Sequence, residues 1–230
     1  DSMFQSNQAY VQFLSITGGD NSFFAGKGWL FGILLASAVA LVIIGGIKSI
    51  ANAASRIVPS MAGLYLLSAF IILMLSIDKI DDALNLIIQS AFGLGSFTGG
   101  AIGALIIGFQ RSAFSNEAGM GTASIAHSAV ETDEPISEGL VSLLEPFIDT
   151  MVICTLTSLV IITTLYTNDP SLGNLEGIAI TSAAFAYHID WFPVVLGIAA
   201  LLFAFSTAIA WAYYGLKSWT YIFGESRGSE

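Results

Sequence analysis

An all-α membrane protein is the fold class this sequence predicts, and three observations carry it. The first is composition: of 230 residues, 55% are hydrophobic and 10% charged, against about 25% charged in a soluble domain. The second is the length of the uncharged runs. Gly28 to Ile47, Ile57 to Ile77, Ala83 to Gln110, Thr150 to Asn168 and Trp191 to Leu216 each reach the roughly 20 residues that a helix needs to cross hydrocarbon. The third is that these runs are apolar on every face, whereas barrel strands would alternate apolar and polar positions. The expectation is a single transmembrane unit over 1–230, with spans near 29–47, 57–77, 97–130, 140–168 and 192–216.

The first span is bounded by Lys27 and Lys48, and the second lies between Arg56 and the pair Asp78 and Lys79. Cytoplasmic loops favour Lys and Arg, so KSIANAASRIVP (48–59) is expected inside, with 1–28 and 78–98 outside. DDALNLIIQSAFG is too short to cross before its glycines. Its spacing suits an amphipathic helix over about 80–93, lying on the outer surface. Continuing the alternation puts His127 to Glu138 inside, although it has no Lys or Arg. NDPSLGN then falls outside and LKSWTYIFGESRGSE inside. The fourth span exceeds the bilayer thickness and is expected to bend at Pro146. Trp191 and Phe192 open the fifth span, and Tyr213, Tyr214, Trp219 and Tyr221 surround its end, as interfacial aromatic belts do.

Several function classes are excluded at this level. The net charge of −10 sits mostly in loops such as DKIDD and ETDEPISE, which rules out an electrostatic nucleic-acid surface. A single cysteine, Cys154, leaves no disulfide or cysteine–metal framework. The opening DSMFQSNQAYVQ is polar with no basic start, unlike a signal peptide, and the chain is expected to be an internal piece of a longer membrane protein.

FQRSAFSNEAGMG (109–121) interrupts this apolar pattern with Arg111, Asn116 and Glu117 set among serines and glycines. The surroundings are too apolar for an ordinary loop, so the third span is expected to stay at membrane depth and to break over 113–119. Unwound backbone at that depth is tolerated where it is buried in protein or lines a cavity, and its freed N–H and C=O groups become ligands. Ser115 and Asn116 add a hydroxyl and an amide, while Gly119 and Gly121 permit close backbone approach. The alternative is that Ser115, Asn116 and Glu117 merely cap a helix beginning at Ala118. Ionisable residues at the membrane centre cost roughly 2.5–3.5 kcal/mol on insertion scales, which marks Glu117 and Arg111 for function.

FQRSAFSNEAGMGTASIAHSA closely resembles the signature of the alanine or glycine:cation symporter family, the sodium:alanine symporters, typically R-G-x-F-S-N-E-A-G followed by small residues and A-H. The likeness extends to IIGGIKSIANAASRIVPSMAGLYLL, GLVSLLEPFIDTMVICTLTSLVI and LLFAFSTAIAWAYYG, and so covers nearly the whole chain. The resemblance implies a LeuT-type fold of two inverted five-helix repeats. This chain would hold the end of the third helix through the eighth, with the broken sixth at SNEAG and the first helix absent. It implies sodium-coupled uptake of small neutral amino acids, alanine and glycine, by a multi-pass protein of the cell membrane. Lipid and the remainder of the transporter would be its partners.

Phe203, Thr207 and Trp211 fall four apart on one helix face, beside a small stripe of Ala204, Ala208 and Ala212. Spacing alone fits an interface helix with Trp211 in the core equally well. The resemblance implies that Thr207 and Trp211 line the amino-acid pocket opposite Phe114, with Ser115, Asn116, Glu117 and Gly119 also at the substrate. The family often carries Ile after that threonine; Ala208 in its place implies a wider pocket. Ser206 and Thr207 match a hydroxyl pair that related folds give to sodium, with back-bonding to the preceding turn as the alternative. Asp149 and Thr150 are further sodium candidates, Asp149 being otherwise a partner for Arg111 or an inner-interface carboxylate. Gln8, in MFQSNQAY, corresponds to the pocket-lining end of the family's third helix. His127 is expected to be structural, and His188 is given no role.

Two other function classes compete. A cation channel would use the unwound SNEAG segment as its filter. An intramembrane hydrolase would need Ser115, His127 and Asp149 together, and no nucleophile motif supports that.

Overall fold

A computed structural model describes residues 2–92, 100–115, 120–166 and 175–224, with the side chains at 47, 48, 91, 92, 100, 101, 104, 113–115, 165 and 166 left aside. No strand occurs among the described residues. The helices, in order, are α1 (Ser2–Ile16), α2 (Gly28–Ile43), α3 (Gly46–Leu75), α4 (Ile80–Phe92), α5 (Gly100–Ser115), α6 (Thr122–His127), α7 (Pro135–Thr164), α8 (Ile178–Ala186) and α9 (Phe192–Phe223). Three stretches are long and apolar enough to cross a membrane: Ser49–Leu75, Pro135–Thr164 and Phe192–Phe223. The expected count of five is therefore larger than the three seen among the described residues. The 16 residues of α2 rise about 24 Å, short of a hydrocarbon core of roughly 30 Å.

The segment 48–59, expected as an inner connection, is helical throughout and continues into α3. IANAAS is rich in alanine, the best helix former, and α3 absorbs Pro59 without a break. The stop falls instead at Ile44–Gly46, where Gly46 adopts a left-handed φ of 70°, a conformation glycine takes without steric cost.

The chain divides into two compact units, residues 1–68 with 174–230, and residues 69–173. In the first, α1 packs along α9 and also meets α2 and α8. Ala9 and Ala204 are fully buried and Phe31 nearly so, with Tyr10, Phe13, Leu35 and Leu201 packed around them. Small residues let the backbones approach, which is how helices gain dispersion contact where lipid offers no hydrophobic driving force. Gly197 extends the same seam: a Cβ there would lie 2.7 Å from Ile16 Cδ1. A second cluster stacks Phe185 on Phe192, ring centroids 4.3 Å apart, with Tyr65 at 5.5 Å from Phe185.

In the second unit, α4 packs against α5 and the C-terminal part of α7, and α6 meets the start of α7. The long helix α7 is irregular: Phe147–Cys154 and Ile162–Tyr166 are π-helical. The first of these segments follows Pro146 directly, where the expected bend lay. Proline lacks an N–H and its ring crowds the carbonyl four residues back, that of Ser142, and the regular helix is interrupted there by a turn at Leu143.

Candidate functional site

The interrupted segment begins where α5 ends. The helix runs regularly to Ser115, and the next one starts at Thr122 behind Gly121, whose φ of 82° is left-handed. An L-residue with a Cβ pays roughly 1–2 kcal/mol for that conformation, so glycine there permits the turn. Asn116, Glu117 and Gly119 lie outside the described residues, as do the side chains of Phe114 and Ser115. Just past the turn, Thr122 is buried, and its Oγ1 has no hydrogen-bond partner among the described residues. An orphaned buried hydroxyl costs about 1–3 kcal/mol, which makes Thr122 a ligand candidate that the sequence reading passed over. Its signal was present, a hydroxyl directly following the glycines of SNEAGMG.

The same unit brings α5 against the π-helical segment Phe147–Cys154. That segment carries Asp149 and Thr150, both half-buried between the exposed Ile148 and Met151. Its widened turn is visible in Thr155, whose Oγ1 donates to the carbonyl of Thr150 at 3.4 Å, five residues back. His127 Nδ1 lies 2.5 Å from Glu138 Oε1, tying the end of α6 to α7. This contact fits a structural histidine.

In the other unit, Thr207 is at the midpoint of the 32-residue α9. Its hydroxyl makes no hydrogen bond among the described residues, and the side chain is half-buried. Trp211, one turn further, is half-buried with its ring 6.1 Å from that of Tyr214. Ser206 Oγ donates to the Phe203 carbonyl at 3.1 Å. Back-bonding of this kind occupies the proton and leaves the oxygen lone pairs open to a cation.

Gln8 is engaged: its Oε1 accepts the N–H of Ile178 at 2.9 Å, capping the start of α8. Gly177, just before, has φ 58° and ψ −135°, and any Cβ there would collide with Gln8 Oε1. One turn along α1, the buried Gln12 donates from Nε2 to Ser182 Oγ at 3.0 Å and to the Pro193 carbonyl at 2.9 Å. Gln8 and Gln12 are four apart, so one polar stripe of α1 holds both α8 and the start of α9. Neither α8 nor Gln12 figured in the sequence reading, although the i, i+4 glutamine pair in an apolar helix was the available signal.

Long apolar helices and a polar interruption define a helical membrane protein. Comparison with known proteins gives the family: residues 2–230 match the model of the sodium:alanine symporter family. The sodium/alanine symporter AgcS of Methanococcus maripaludis is 41% identical over 194 residues, covering 84% of this chain and 43% of that protein. The amino-acid carrier protein AlsT of Bacillus subtilis is 38% identical over 208 residues, 89% of this chain and 43% of the relative. The probable sodium/glutamine symporter GlnT of the same organism is 38% identical over 186 residues, 80% of this chain and 38% of the relative. The chain belongs to the sodium:alanine symporter family. It spans less than half the length of these relatives.

Proposed function

We propose that this chain is part of a secondary active transporter that couples inward sodium movement to uptake of a small neutral amino acid, alanine or glycine, by alternating access. The observation that supports it most is the family match over residues 2–230, within which α5 ends at Ser115 and α6 starts at Thr122 behind the left-handed Gly121. In this reading the protein is a multi-pass component of the plasma membrane with the LeuT-type inverted repeat, and the present residues run from its third helix to its eighth. Phe114, Ser115, Asn116, Glu117 and Gly119 serve the substrate from the broken helix, and Thr207 and Trp211 from α9, with Gln8 at the edge. Ser206 and Thr207, with Asp149 and Thr150 as further candidates, hold sodium.

The broken helix supplies two kinds of group. A half-helix N-terminus carries partial positive charge for a substrate carboxylate, and unwound carbonyls coordinate a cation. The driving force is adequate, since one charge crossing 100 mV gains about 2.3 kcal/mol before any sodium gradient is counted. Two relatives are named for alanine and for glutamine. The small Ala208 beside Thr207 leaves room for the larger of these, so glutamine is the competitor to try first.

The test is labelled-alanine uptake into proteoliposomes holding the full-length protein, with and without an inward sodium gradient, beside Asn116→Ala. Sodium-dependent uptake that falls at least about tenfold in the variant, the loss of one charge-assisted hydrogen bond, supports symport. Sodium flux indifferent to alanine would replace this reading with a channel.

A further inference from the structure

We propose that a groove between the α2–α3 corner and the end of α9 binds one anionic phospholipid, with Lys217 on its phosphate and the apolar floor on the upper part of an acyl chain. The groove, about 210 Å³, is lined by Ile43, Ile50, Ala212, Tyr213 and Leu216, with Lys217 at its edge. Gly46 at the corner also lines it, and a Cβ there would stand in open space with nothing within 4 Å. Enclosed pockets for small solutes are larger, roughly 300–1,000 Å³, whereas this open, apolar cleft suits the flank of a chain already in the membrane.

Depth fixes the kind of anion. The midpoint of α9 lies at Thr207–Ala208, and Lys217 is ten residues beyond Thr207, so about 15 Å along the axis at 1.5 Å per residue. That is half of a hydrocarbon core of roughly 30 Å. Lys217 is also the first charged residue after the uncharged run from Trp191 to Leu216. A helix centred in the bilayer therefore brings Lys217 to the boundary between acyl chains and phosphates, with Tyr213 on the apolar side and the exposed Trp219 and Tyr221 on the headgroup side.

Charge completes the match. Lys217 forms no ion pair among the described residues. Its Nζ rests 5.8 Å from the Tyr213 ring, a contact that keeps the cation over the groove without neutralising it. A cation directly adjoining an apolar floor asks for a ligand with an anion joined to a hydrocarbon chain. Free phosphate would leave the floor bare, and a neutral lipid would leave the lysine without its counter-charge. The inner leaflet, where positive-inside reasoning places the end of α9, is the anionic one.

The experiment is native mass spectrometry of the full-length transporter, delipidated and then titrated with phosphatidylglycerol or phosphatidylcholine. The expected result is retention of one phosphatidylglycerol in preference to phosphatidylcholine. One lysine near the surface is worth about fivefold in binding, so Lys217→Gln should weaken retention by that factor. Ala212→Trp, which fills the floor but keeps the cation, should also lose the lipid. Equal retention of the two lipids, retention unchanged in both variants, no retained lipid, or a second protein copy bound in place of lipid would each overturn the site. The readout is independent of transport, so its failure leaves the symport reading intact, and a failed uptake assay leaves this one intact.

Discussion

The seam between α1 and α9 and the neighbourhood of α5 and α7 solve opposite problems. Along the first, Ala9, Ala204 and Gly197 bring two regular helices together, and Gln8 and Gln12 spend their amides on Ile178, Ser182 and Pro193. In the second, backbone regularity is given up: Gly121 turns left-handed, Phe147–Cys154 widens into π-helix, and Thr122 keeps a buried hydroxyl without a partner among the described residues. Polar groups satisfied within the protein hold a frame. Polar groups left over beside an irregular backbone are available to a ligand, and in an apolar medium they are costly unless one arrives.

The sharpest way to break this contrast is Gly177→Ala. A non-glycine residue at φ 58° and ψ −135°, with a Cβ against Gln8, should lower stability by about 3 kcal/mol. Thermal unfolding of the full-length protein in detergent measures it; an unchanged midpoint would remove the Gln8 cap from the frame. Gln12→Leu should cost about 2 kcal/mol, because the Pro193 carbonyl and the buried Ser182 hydroxyl lose their shared donor. Alanine KM should not move in this variant. A changed KM with normal stability would place Gln12 in the site.

Thr207→Val inverts that pattern. No described hydrogen bond is lost, so stability should hold, while loss of a hydroxyl that we propose faces substrate or sodium should raise KM about tenfold. The same exchange at Thr122 should leave the protein as stable or more so. Destabilisation in either variant would show the hydroxyl to be structural. The smallest effect is expected at the α6–α7 link. His127→Gln removes a partly exposed contact to Glu138 and should cost less than about 1 kcal/mol, with uptake retained.

What the sequence made legible follows from periodicity and composition. The start of α9 at Trp191–Phe192 and the short helix Ile80–Phe92 could be read from aromatic and amphipathic patterning. The irregular features were less visible. A glycine at 46 that stops a helix looks like the glycines at 32 or 103 that do not, since only the φ separates them. Nothing in IANAAS distinguishes a helical connection from a loop until its alanines are counted. Nine residues of α8 carry no length signal for a span, and their anchor lies some 170 positions away in Gln8 and Gln12, beyond the reach of any local pattern. For the site, SNEAG announced an interruption, but whether a hydroxyl such as Thr122 ends up paired depends on packing.

The π-helical stretch after Pro146 has one more consequence, for how this helix tolerates change. Each residue of an α-helix turns the chain by about 100°, so one extra residue held in a widened turn rotates everything downstream by that amount relative to an unbroken helix. The two halves of α7 therefore present faces on different phases, and no single wheel describes both. Deleting one residue between Phe147 and Cys154 would restore a regular helix while swinging Val160, Thr163 and Thr164, now buried, away from their present neighbours. A one-residue insertion in the regular α-helical stretch Thr155–Ile161 has no comparable slack to take it up. Length variation among relatives should therefore concentrate at this turn.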